Sequence, residues 1–180
     1  MLSSDKFMYQ TFNRYKILRV FFDEPNRNFY LRELERITNI SLPSVKHHVE
    51  ILWKSGFLKK VKNGVYHSYK ASLNDTFRRF KSNDLLIRLE ECGLIKELEE
   101  RCTPNCIVLY GSGVEGRDDE RGDIDLFIQS KEQKIDIRPY EKSLKRKISL
   151  LFEPSMDKLE SGLKNTLANG LVLRGFLKVI

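Results

Sequence analysis

The chain has 180 residues and a mass of 21.2 kDa, with 41% hydrophobic and 32% charged residues and a formal net charge of +7. That length holds one large domain or two small ones with real cores, and the composition excludes a disordered or fibrous chain. No apolar run reaches the roughly 18 residues of a membrane span, and residues 1–8 lack the basic start and apolar block of a secretory leader, so a cytoplasmic location is expected.

The charge is uneven along the chain. Residues 1–75 carry 13 Lys/Arg against 7 Asp/Glu, whereas residues 76–180 carry 19 against 18, and all three histidines lie in the first part. A basic module facing a polyanion, followed by a module with another task, is the reading this supports. Cys92, Cys102 and Cys106 match neither a zinc knuckle nor a redox Cys-x-x-Cys spacing, and reduced thiols are expected.

In chain order, Met8, Phe12, Tyr15, Leu18 and Phe22 form the apolar stripe of a first helix, which Asp23-Glu24-Pro25 stops. A short extended stretch around Phe29 and Tyr30 precedes a brief helix, Leu31 to Thr38, with Leu34 and Ile37 expected inward. Ser41 is placed to cap a third helix with Pro43 in its first turn and Val45, Val49, Leu52 and Trp53 toward the core, and Gly56 ends it. A hairpin follows, Phe57 to Lys62 and Val65 to Ser72, with its turn expected at Asn63-Gly64.

Three helices and a basic hairpin in this order resemble the winged helix-turn-helix domains of bacterial and archaeal transcription regulators, over about residues 7–75. The matching residues are Leu31-Arg32-Glu33-Leu34, Ser44-Val45-Lys46-His47-His48-Val49, Leu52 and Gly56-Phe57-Leu58. The resemblance implies a third helix in the major groove of double-stranded DNA, with Ser44, Lys46 and His47 outward. Lys59, Lys60, Lys62 and His67 on the hairpin are expected to meet flanking phosphates, and Tyr66 a sugar.

Residues 76–91 read as a linker helix, whose Phe77, Phe80, Leu85, Leu86 and Leu89 are candidates for a homodimer seam. Helix Leu94 to Arg101 comes next and Pro104 closes it. Short apolar runs then alternate with polar loops. Residues 106–110, 124–128, 148–152 and 171–179 read as strands, with helical material at 139–147 and 156–168 between them. The expected fold class is α+β: residues 1–75 as a winged helix domain, then residues 92–180 as a small α/β domain with a mixed sheet.

Between the first two of those strands stands Tyr110-Gly111-Ser112-Gly113-Val114-Glu115-Gly116, then Arg117-Asp118-Asp119-Glu120-Arg121, then Gly122-Asp123-Ile124-Asp125. Ten residues separate Ser112 from Asp123. This pattern looks like the minimal nucleotidyltransferase family of the polymerase-β-like superfamily, over residues 92–180. The resemblance implies an NTP held by Gly111 and Ser112 at the turn, and Mg²⁺ held by Asp123 and Asp125 as the catalytic pair. It further implies NMP transfer to a hydroxyl acceptor, such as a toxin-like protein partner. Three positions depart from the family: Glu115 replaces an arginine, Gly122 replaces a serine, and Ser149 stands where catalysing members carry a third carboxylate.

Overall fold

The computed structural model describes residues 12–63 and 66–178. Among them are seven α-helices and two sheets, a mixed α+β architecture, and no helix is long and apolar enough to cross a membrane. The chain divides into two compact units, Met1–Lys81 and Ser82–Ile180. The division falls inside one continuous helix.

The first unit contains α1 (Asn13–Asp23), α2 (Leu31–Thr38), α3 (Leu42–Lys54) and the hairpin β1 (Leu58–Asn63) and β2 (Tyr66–Ala71). Helix α1 buries Ile17, Leu18, Phe21 and Phe22, a stripe one residue wider than the sequence spacing suggests, and Phe12 precedes the helix and is 58% exposed. Met8 lies outside the described residues. In α2 Leu34 is buried and Leu31 packs against the same core, but Ile37 is 49% exposed, because eight residues make only about two turns. Ile40, just after the turn, fills the place expected of Ile37.

Helix α3 turns Val45, Val49 and Leu52 inward, while Trp53 stays partly exposed and takes the Lys60 ammonium over its ring at 5.2 Å. The Ser41 side chain makes no capping bond; the Glu35 carboxylate accepts from the Leu42 amide at 3.0 Å instead. Gly56 leaves α3 at φ +79°, where a side chain is disfavoured. The hairpin pairs antiparallel from Leu58–Ala71 out to Asn63–Tyr66, and Gly64 and Val65, on which part of the expected turn falls, lie outside the described residues. Phe29 exchanges two 2.8 Å backbone bonds with Tyr69, adding one rung of a third strand.

Helix α4 (Asp75–Glu91) crosses the division. Its apolar residues serve the two cores: Phe77 belongs to that of the first unit, and Leu85 and Leu89 to that of the second. Of the residues read as a dimer seam, Phe80 is the one exposed.

The second unit continues with α5 (Leu94–Cys102), β3 (Cys106–Tyr110), β4 (Ile124–Ile128), α6 (Arg138–Leu144), β5 (Ile148–Phe152), α7 (Ser161–Ala168) and β6 (Leu171–Gly175). Its sheet runs β5-β4-β3-β6, with β4 parallel to β5 and the other neighbours antiparallel. Side chains alternate across a strand. Ile107, Leu109, Ile124, Leu126 and Ile128 therefore face one core with Leu94, Ile95, Leu98 and Leu144, and Tyr140 of α6 donates its hydroxyl to Glu97 of α5. The opposite face carries Cys106, Val108 and Phe127, covered by Met156 and Leu167. The three thiols are free, and burial pushes Cys106 up to about 11.

Candidate functional sites

In the second unit, β3 ends at Tyr110 and a tight turn, Gly111–Gly113, follows. Gly111 has φ +76°, and a Cβ there would lie 2.7 Å from Asp125 Oδ2. Only a residue without a side chain lets the turn close onto that carboxylate. The Arg117 amide bonds back to the Ser112 carbonyl at 3.0 Å, and the Ser82 hydroxyl donates to the Val114 carbonyl at 2.8 Å, so the loop is held at both ends. Ser112 is exposed.

Asp123 is exposed one residue before β4, and Asp125 is half-buried on it, paired in register with Tyr110 on one side and Ser149 on the other. Residues paired across neighbouring strands share a face. Ser149 thus stands beside Asp125 on the neighbouring strand. Partial burial, and then the charge of Asp123, push the Asp125 carboxyl above the usual range, while Arg146 opposes them. Burial and the neighbouring Asp125 also raise Tyr110.

Because the folded state holds the Asp125 proton more tightly than the unfolded chain, stability falls as pH rises from the ordinary carboxylate range to the raised pKa, and stays reduced above it. Asp125→Asn is accordingly expected to melt higher than the parent protein at pH 7, with the gap closing as the pH drops through that window. Calorimetric scans across acid pH check this; a gap independent of pH would rule it out.

A cleft of about 430 Å³ is lined by Gly111, Ser112, Glu115, Arg117, Asn165 and Thr166, among others. Glu115 is paired with Arg117 at 2.9 Å. Arg117 reaches the cleft from the same loop, whereas Asn165 and Thr166 carry no motif in the sequence and are brought to the turn by α7 packing against β3. Asp123 and Asp125 are not part of this cleft's lining.

Two carboxylates repelling each other, one of them partly desolvated, fit a single divalent cation whose other ligands are water. Ser149, in register with Asp125, adds no carboxylate to the pair, and no group of three or more His, Cys, Asp or Glu side chains comes together among the described residues.

In the first unit, Lys46 and His47 project from α3 into solvent, and Ser44 is half-buried with the Asn13 amide 3.5 Å from its hydroxyl. The hairpin register places Lys60 opposite Tyr69 and Lys62 opposite His67, so Lys60, Lys62 and His67 share the face that carries the Trp53 contact with α3. Lys59, opposite Lys70, and Tyr66, opposite Asn63, fall on the other face. The eight residues read as one DNA-binding set are thereby split: α3 with one hairpin face, and Lys59 with Tyr66 apart.

Comparison of the chain with protein-family models, with curated proteins and with solved structures found no match.

Proposed function

We propose that the protein is a DNA-binding transcription regulator, its first unit a winged helix and its second a nucleotidyltransferase-like domain that senses a nucleotide or contacts a partner without efficient transfer. The observation that carries this reading is the single face formed by Lys60, Lys62 and His67, tied to α3 by Lys60 over Trp53, beside a helix that offers Lys46 and His47 to solvent. A helix fits the major groove, and cations on an adjoining hairpin reach the flanking phosphates. The order α1, Phe29 rung, α2, α3, β1, β2 supports the winged arrangement. A homodimer would present two such faces to half-sites about 34 to 36 Å apart.

For the second unit, the turn at Gly111 closed onto Asp125 supports the nucleotidyltransferase resemblance, and Ser149 beside Asp125 argues against a full catalytic set. Asp123 and Asp125 would hold one Mg²⁺, whose charge would offset that of nucleotide phosphates. Activating a hydroxyl requires a base, which serine at pH 7 does not provide.

The second reading is a working transferase that moves NMP from an NTP to a hydroxyl on a partner protein of the toxin kind. The closed Gly111 turn is the observation that favours it. Labelled ATP, a mobility-shift assay and three proteins separate the two. Under the first reading the parent protein transfers no label and Asp123→Asn binds duplex as the parent does. Under the second, the parent labels its acceptor, Asp123→Asn abolishes the labelling and Ser149→Asp raises it. A parent protein that binds no duplex at low salt would sink the first reading.

A further inference from the structure

A separate cleft in the second unit, of about 410 Å³, shares no residue with the one at the Gly111 turn. Six cationic side chains line it, Arg121, Arg138, Lys142, Lys145, Arg146 and Lys147, against the two carboxylates of Glu120 and Glu141. Three of the cations already have partners. The Arg138 fork closes on Asp136 at 2.8 Å, Lys147 lies 3.2 Å from Glu141, and Arg146 binds Asp118. Arg121, Lys142 and Lys145 are exposed and make no ion pair among the described residues. Gathering unpaired like charges raises the free energy of the folded chain, and nothing in the packing of the unit requires these three.

Arg146 differs from the rest of the rim. Its side chain is only 10% exposed and is fixed by Nε donating to the Gly122 carbonyl at 2.7 Å and by Nη1 on Asp118 at 2.5 Å. Nη2 is buried with no hydrogen-bond partner. A Cβ on Gly122 would stand 3.4 Å from that nitrogen, so the missing side chain keeps the wall thin above it. The cleft thus combines an immobile guanidinium under its wall with mobile cations at its rim.

We propose that this cleft binds phosphate groups, those of a nucleotide polyphosphate or of a nucleic-acid strand, at a site distinct from the Gly111–Ser112 turn. A multiply charged oxyanion with several acceptor oxygens matches the one unpartnered nitrogen of Arg146 together with the exposed cations of Arg121, Lys142 and Lys145 better than a single carboxylate does. The assignment does not depend on whether the second unit transfers nucleotides.

The test is a titration of inorganic tripolyphosphate into the full-length, ¹⁵N-labelled protein. It is followed at the Arg146 Nε–H resonance and at the backbone amides of residues 142–147. Saturable shifts there are expected, and Lys142→Ala with Lys145→Ala is expected to lower the affinity about fivefold or more while the rest of the spectrum is unchanged. Competition by a short single-stranded oligonucleotide would assign the site to strand phosphates, and competition by ATP alone to a nucleotide. Shifts confined to Gly111 and Ser112, no shift at all, unaltered affinity in the double variant, or equal binding of a polyglutamate peptide would each overturn the proposal.

Discussion

Replacing Lys60 and Lys62 together with alanine is expected to weaken binding to duplex DNA by some tens-fold at about 0.1 M salt, and to flatten the log–log salt dependence by roughly 1.8. Each lysine that neutralises a phosphate releases condensed counterion, so removing two such lysines from one face takes away about 0.9 of slope apiece. The same change at Lys59 is expected to do much less, because the hairpin register puts it on the opposite face with Lys70. The loss should be nearly uniform across sequences, since phosphates carry no base identity. His47→Ala on α3 is expected to alter the preference between sequences instead. Mobility shifts over a salt series, with two unrelated duplexes, read all three effects. Equal losses from Lys59 and from the Lys60, Lys62 pair would show that the register does not define the binding face.

Much of the fold is legible in the sequence because its elements are short, regular and well punctuated. Residues 106–110, 124–128 and 148–152 are apolar runs set between polar loops, and the strands take those bounds. The helix starting at Leu94 follows a glycine and stops before Pro104, where both residues act locally. What a single sequence does not carry is the direction of individual side chains on a short helix, which decides Ile37, or the residue at which a helix starts, which decides Phe12. The Phe29–Tyr69 rung is equally silent, since one residue pair has no period. Local spacing points to Ser41 as the cap of α3, but a carboxylate from the preceding helix reaches the Leu42 amide, and no local rule anticipates that.

The candidate site divides in the same way. Gly111, Ser112, Asp123 and Asp125 are named by the motif that carries the resemblance, and the parallel pairing of β4 with β5 sets Ser149 in register with Asp125. Asn165 and Thr166 come from a distant helix, and periodicity assigns them no role. Asp118 stands within the charged run Arg117-Asp118-Asp119-Glu120-Arg121, yet its side chain is 3% exposed. Its partner lies 28 residues away, beyond a strand and a helix. Long-range pairs of this kind leave no trace in a single sequence.

That buried pair sets the second large expectation. Arg146→Met is expected to destabilise the protein by about 3 to 5 kcal/mol, because it takes the guanidinium from a carboxylate that is only 3% exposed. The same change removes the bond to the Gly122 carbonyl, one residue before Asp123, so the loop that delivers Asp123 loses its anchor. Against a total stability of about 5 to 15 kcal/mol for an ordinary protein, such a loss leaves a large unfolded fraction on mild warming. Asp118→Leu alone is expected to be comparably harmful, since it leaves the guanidinium buried. Combining the two should cost less than the sum of the single changes, because the double variant strands neither charge. Denaturant unfolding of the four proteins measures the coupling directly. If each single change costs under about 1 kcal/mol, the pair is not what holds the 117–123 loop, and the placement of Asp123 must rest on the β4 pairing alone.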